Sequence, residues 1–165
     1  MNFESSITAA FTGHRNYHGQ AAAQLDAAVD ALCNRGFRIF LCGMALGFDM
    51  AAAESVLRMR TLRPDDRIRL VAVVPFPGQA ARYPAAERER YERILAAADA
   101  VVDIAPQYVR HCYALRNDFL VDNASTVVAW YDGSAGGTHY TVRRARRLRR
   151  EIINLHRDPQ AEFSF

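Results

Sequence analysis

The sequence predicts one α/β domain: a three-layer sandwich in which a mostly parallel sheet is covered by helices on both faces. Three observations carry that prediction. Strand-like and helix-like segments alternate along the whole chain, the pattern that parallel β-α-β units produce. The strand-like runs LVAVV, AVVDI and TVVAWY are nearly continuous in apolar residues, as strands buried on both faces are. The chain has 165 residues, half of them hydrophobic, which supplies one sizeable core but not two.

Each element has its local reason. Ile7–Thr12 is a short apolar run that stops at Gly13. Gln20–Arg35 has helical spacing at Leu25, Val29 and Leu32 and ends before Gly36, a natural residue for the turn past a helix. Phe37–Cys42 is the second strand, closed by Gly43. Phe48–Arg60 is a helix with Ala52, Val56 and Met59 along one face. Arg63–Asp66 is a turn built on Pro64. Ile68–Val74 is the third strand and runs into PFPG. Ala85–Ala98 is a charged amphipathic helix, Ala100–Ile104 a fourth strand and Tyr113–Asn123 a helix. Thr126–Tyr131 is a fifth strand followed by DGSAGGT. Thr138–Arg150 is the last long helix, Ile152–Leu155 a short sixth strand, and the tail from His156 to Phe165 is loosely held.

Composition narrows the function classes. No run of 18 apolar residues exists, so no transmembrane helix is expected. The N-terminal segment lacks the basic region and long apolar core of a signal peptide. Cys33, Cys42 and Cys112 form no CxxC, and three thiols leave one unpaired, which fits a reduced cytosolic compartment. All 21 basic residues are arginine, so neither a phosphate-loop lysine nor a Schiff-base lysine exists. Net charge is +3, yet six arginines lie in RRARRLRR (143–150), and the remainder of the chain is net acidic. Val142, Ala145 and Leu148 make a narrow apolar stripe on that segment. It reads as a solvated outer helix, or as a surface for nucleic acid, an acidic partner or another subunit.

The unusual residues gather where strands become helices. In a parallel sheet all strand carboxyl ends share one edge, and ligands bind along it. There lie Gly13, His14 and Arg15 after the first strand, Gly43 and Gly47 after the second, and Gly136, Gly137 and Thr138 after the fifth. Glycine allows close backbone approach, and helix N-termini attract anions. Asp49 stabilises the start of its helix. It would repel a phosphate directly above it, so a functional Asp49 meets a ribose hydroxyl or a cation. Arg15 and Arg116 can grip phosphate, and an Arg116→Ala chain is expected to lose phosphate affinity with little change in fold stability. His14 is a ligand donor or a structural loop residue. His14 and His18 are four apart but in a loop, without a third ligand, so no metal is expected. His139 either reaches the ligand or is an exposed first-turn residue. His111-Cys112 has no partner for nucleophilic catalysis.

TGHR (Thr12–Arg15), CGMALGFDMAAAE (Cys42–Glu54), RNDFLVDNASTVVAWYDG (Arg116–Gly133) and GGTHYTVRRA (Gly136–Ala145) together resemble the YpsA-like family of the SLOG superfamily. Its relatives include the DNA-processing protein A (Smf) proteins and the Lonely Guy phosphoribohydrolases. The resemblance spans about Ile7 to Leu155. Gly43–Glu54 is similar to a signature of the DNA-processing relatives. Arg116-Asn117 followed by Gly136-Gly137-Thr138 is similar to a pattern of the phosphoribohydrolases. The resemblance implies a Rossmann-like fold with a nucleotide over the glycine loops. In the phosphoribohydrolases an acid separated from GT by two residues works with the arginine in glycosidic cleavage; here that position is Thr141, and Ser134-Ala135 replaces the prolyl start. Hydrolysis by that route lacks its carboxylate, which leaves Asp49, Asp118 or Asp132 as substitutes.

The sequence is therefore read as a single SLOG-type domain over residues 1–165, cytoplasmic, with its core over about 7–155. It binds a nucleotide or nucleotide-sugar of the ADP-ribose or NAD kind as a ligand sensor and requires no other cofactor. N-glycosidic hydrolysis is the alternative, with no catalytic residue assigned, and nucleic-acid binding the second alternative. A homo-oligomer is compatible with this reading.

Overall fold

A computed structural model describes residues 2–156. Six strands alternate with five α-helices: β1 (Thr8–Gly13), α1 (Ala22–Asn34), β2 (Ile39–Cys42), α2 (Phe48–Leu62), β3 (Arg69–Val74), α3 (Ala85–Ala97), β4 (Ala100–Asp103), α4 (Cys112–Asp122), β5 (Thr126–Trp130), α5 (Gly137–Arg147) and β6 (Glu151–Asn154). Short 3-10 turns cover Ser5–Ile7, Pro64–Asp66 and Gln79–Arg82. The strands form one sheet in the order β4-β3-β2-β1-β5-β6, and every neighbouring pair is parallel. The fold is therefore Rossmann-like, with a wholly parallel sheet where a mostly parallel one was expected. The loosely held tail lies outside the described residues from 157 onward.

Alternation along the strands divides the core. Phe11 and Phe40 point to one face, stacked 6.1 Å apart, and pack with Leu25 and Val29 of α1, Val56 of α2 and Ile94 of α3. Ala10, Leu41, Val71 and Val73 point to the other face, against Leu120 of α4. Val127 meets Ala145 of α5 on that same side of β5. Successive side chains of a strand face opposite ways, so a strand buried on both faces must be apolar throughout. All four residues of β2 and all five of β5 are buried.

Several boundaries differ from the sequence reading by one to three residues, and two of those shifts share a physical reason. Helix α1 ends in a Schellman turn: Phe37 N–H donates to Leu32 O at 3.0 Å and Gly36 N–H to Cys33 O at 3.0 Å, with Gly36 at φ +94. Phe37 is consumed by that turn, so β2 begins two residues later than expected. Helix α5 ends in the same motif, with Arg150 N–H on Ala145 O at 2.8 Å and Arg149 N–H on Arg146 O at 3.0 Å. Its left-handed position is Arg149, at φ +56. No glycine marks that end, and the helix stops three residues before the expected Arg150.

Strand β1 is where the sheet order reverses, with β2 on one side and β5 on the other. Helices α1 to α3 lie on one face and α4 and α5 on the other. The chain must diverge beyond the carboxyl ends of β1 and β5, and the crevice left there is the natural ligand position of an open parallel sheet.

Candidate functional site

A cavity of about 560 Å³ opens at that crevice. The β1–α1 loop supplies Thr12 to Asn16, the β2–α2 segment Ala45 and Asp49, the 3-10 turn after β3 Gln79 and Tyr83, helix α4 Tyr113, Arg116 and Asn117, and the β5–α5 loop Asp132 and Ser134 to Thr138. Of the residues expected at the site, Gly13, His14, Arg15, Asp49, Arg116, Asn117, Gly136, Gly137 and Thr138 all line this cavity.

Gly43 and Gly47 do not, and this corrects the reason given for them. A side-chain carbon on Gly43 would lie 2.9 Å from Arg116 Nη1 and 3.0 Å from Asp49 Oδ2. Gly43 is bare so that those two side chains can close over it. A side-chain carbon on Gly47 would lie 2.5 Å from the Arg15 carbonyl oxygen and 2.8 Å from that of His14. Gly47 also sits at φ +83, where an L-residue is strained. What approaches the backbone here is the neighbouring β1–α1 loop. Gly47 lines a second cavity, also of about 560 Å³, with Arg15, Tyr17, Glu54 and Arg90.

The floor of the first cavity is a network around the Gly43 carbonyl. Arg116 Nη1 donates to that oxygen, Gln79 Nε2 does so at 3.4 Å, and Arg116 Nε donates to Asn117 Oδ1 at 2.8 Å. Arg116 is only 6% exposed. The expectation that Arg116 could be removed without affecting the fold is thereby corrected: it is a buried strut as well as a lining residue. Asp49 is buried beside it and accepts the Ala45 N–H at 3.2 Å. Burial pushes the Asp49 carboxyl up to about 6, against the opposing pull of Arg116 and of that N–H.

The rim is polar. His14 Nε2 lies 2.7 Å from Asp132 Oδ1, so His14 clasps the β1 loop to the β5 loop while lining the cavity. Asp132 also accepts from Ser134 Oγ at 2.5 Å and Ser134 N–H at 2.9 Å. Those two bonds hold the Asp132 carboxyl down at about 2, with His14 contributing less. Ser134 and His14 share one carboxylate oxygen and do not bond to each other, so this is no nucleophilic triad. Helix α5 follows Gly136, φ +138, with no side-chain cap, and its first residues face the cavity. Their N–H groups are free for a ligand. Arg15, on the β1–α1 loop, is exposed and lines the same cavity.

Other expected residues lie elsewhere. Thr141 is 1% exposed and its hydroxyl donates to Gly137 O at 2.9 Å, so it contributes nothing to the cavity. Asp118 is held by Tyr140 and Arg144 where α4 meets α5 and does not line the cavity, which removes it from the acids able to substitute. His139 pairs with the Tyr131 hydroxyl. Among the described residues, no three of His, Cys, Asp and Glu come together as metal ligands do. The sequence reading missed Asn16, Gln79, Tyr83 and Tyr113. Gln79 opens a 3-10 turn after PFPG and Tyr83 directly follows it, a segment without periodicity. Tyr113 was legible only as a first-turn residue.

A family model, YpsA, described as the YspA SLOG family, matches residues 10–155; the chain belongs to this family. It is 32% identical over 114 residues to a UPF0398 protein of Halalkalibacterium halodurans, covering 66% of this chain and 57% of that relative's length. A prophage-derived protein of Bacillus subtilis, YoqJ, is 27% identical over 133 residues, covering 72% and 77%. Among solved structures, DNA processing protein A of Streptococcus pneumoniae superposes with a TM-score of 0.63 at 20% identity, over 88% of this chain and 48% of that one. The Helicobacter pylori counterpart, described for its single-stranded DNA binding mode, gives 0.63 at 14% identity, over 90% and 64%. The molybdenum cofactor carrier protein of Chlamydomonas reinhardtii gives 0.57 at 15%, over 94% and 80%. These identities show a shared fold. No described helix is long and apolar enough to cross a membrane.

Proposed function

We propose, starting from membership of the YspA SLOG family, that this is a cytosolic nucleotide-binding protein that senses its ligand without turning it over. The ligand is a nucleotide or nucleotide-sugar of the ADP-ribose or NAD kind. The observation that carries this reading is the uncapped start of α5, which opens on the same cavity as Arg15, Arg116 and Asn117. Free N–H groups and the positive end of the helix stabilise an anion by about 0.3–1 kcal/mol. Guanidinium bonds to phosphate are roughly twice as strong as neutral ones. Asp49, across the floor, repels phosphate and accepts hydroxyl donors. The reading therefore sets phosphate toward Gly136–Thr138 and sugar toward Asp49. A neighbour of the same fold that carries the molybdenum cofactor is a precedent for holding an organic ligand.

A second reading, N-glycosidic hydrolysis, rests on Asp49. A buried carboxyl at about 6 is poised to give or take a proton near neutral pH. Calorimetry with AMP, ADP-ribose and NAD, followed by chromatography for free base, separates the two. Binding without base release supports the sensor. Base release supports the hydrolase, and no binding of any nucleotide overturns both.

A further inference from the structure

Three aromatic rings stand together beside the cavity, which one of them, Tyr113, lines. Phe76 lies two residues past β3, Tyr108 in the loop after β4, and Tyr113 in the first turn of α4. The loop is fastened alongside β3, with Ile104 N–H on Val74 O at 2.9 Å and Ala105 N–H on Pro75 O at 3.1 Å. Phe76 meets Tyr108 at 5.6 Å and Tyr113 at 6.0 Å between ring centres, both edge to face. The residue before α4, His111, makes no side-chain cap bond and lies in the left-handed region at φ +67, a conformation uncommon for a residue other than glycine.

The cluster is exposed as well as ordered. Tyr108 is 64% and Tyr113 44% accessible. Tyr113 also lines the cavity, and the Arg116 guanidinium carbon lies 5.9 Å from its ring centre. The surface is thus continuous from the uncapped α5 N-terminus, past Asn117 and Arg116, to the tyrosines. One end suits an anion and the other suits a planar ring.

We propose that Phe76, Tyr108 and Tyr113 form a stacking platform for the base of the bound ligand. The site then selects nucleotides with an intact heteroaromatic base over bare sugar phosphates. The proposal deepens the nucleotide-binding reading and rests on it. Every base has a flat π-face, so such a platform accepts bases broadly. The same chemistry is offered by a free nucleotide and by a base of a single strand.

The test uses Tyr108→Ala and Tyr113→Leu, both at exposed positions, with melting temperature as the control for folding. Each is titrated with AMP, with ribose 5-phosphate and with a short deoxythymidine strand. The expected result is AMP affinity lowered about tenfold to a hundredfold with ribose 5-phosphate affinity unchanged. Equal weakening of both ligands, or undiminished AMP affinity, overturns the platform while leaving the nucleotide site standing. If the parent binds the strand but not AMP, and both variants weaken the strand, the platform holds and the free-nucleotide reading falls. If the parent binds none of the three, both readings fall.

Discussion

Replacing Asp49 by asparagine should make the protein more stable and a poorer binder, and the size of the first effect follows from burial. The carboxyl is ordinarily half-ionised at 3.8 and here at about 6. A raised folded value means that the folded state holds the proton more tightly than the unfolded chain. Between those two pH values the folded state binds more protons, so stability falls as pH rises through the window. Above about pH 6 the deficit is complete. At about 1.4 kcal/mol per pH unit of separation it amounts to about 3 kcal/mol. Asparagine keeps the shape and an oxygen for the Ala45 N–H but carries no charge to desolvate. Urea unfolding of parent and Asp49→Asn can be followed from pH 4 to 7.5 by the single tryptophan, Trp130, which is 7% exposed in the fold. The variant should gain up to about 3 kcal/mol at pH 7.5 and almost nothing at pH 4. The difference isolates Asp49 from Asp26, Asp132 and Glu151, whose lowered values act in the opposite direction. Nucleotide affinity, measured at pH 7.5, should fall if the carboxylate accepts ribose hydroxyls. Two stability curves that coincide within about 0.5 kcal/mol at every pH would refute the claim that this carboxyl is desolvated.

Gly47→Ala should lose at least about 2 kcal/mol of stability, from backbone strain and from contact with the Arg15 carbonyl; nucleotide affinity measured on the folded fraction should fall with it. Arg116→Ala should cost about 2–4 kcal/mol in urea unfolding, because it empties a buried position and strips the Gly43 carbonyl of a charged donor. It should also weaken nucleotide binding in calorimetry. Arg143, Arg146 and Arg147 occupy exposed positions without a carboxylate partner among the described residues. Their joint replacement by glutamine should leave nucleotide affinity unchanged and stability within about 0.5 kcal/mol. If α5 instead meets nucleic acid, the salt dependence of strand binding should flatten by about 0.7 for each phosphate that the arginines cease to neutralise.

Much of the fold was legible because burial on both faces leaves an apolar run at every strand, and because the crossing helices carry a 3.6-residue period. Helix ends were read to within a residue at α1, α3 and α4, and missed by more at α2 and α5. Gly36 announced the end of α1 to within a residue. Arg149 performs the same turn for α5, and nothing in its chemistry announces it, so the arginine-rich helix read three residues too long. The site was legible as an edge rather than as a set of contacts. Chain order in a parallel sheet places every βα junction together, which is why nine of the expected residues meet in one cavity. It says nothing about a 3-10 turn arriving from β3, which brings Gln79 and Tyr83.

The two glycines of GMALGFD show where such reading stops. Glycine at a strand-to-helix junction signals that something comes close, and something does. At Gly43 it is the Arg116 guanidinium and the Asp49 carboxylate, and at Gly47 it is the backbone of the β1 loop. Both serve the floor and walls of the cavity rather than its contents. A side-chain carbon on Gly13 would collide with the Phe48 ring, so the cavity glycines with open space before them are Gly136, where an added carbon meets nothing within 4 Å, and Gly137, where it meets only Asn117 Nδ2 at 3.7 Å. Open space above a helix N-terminus is what an anion needs, whereas a filled space beneath Gly43 is what keeps Arg116 and Asp49 in place before the ligand arrives. A site whose charged groups are already fixed loses little entropy on binding, so the division of labour between the two pairs of glycines bears directly on affinity.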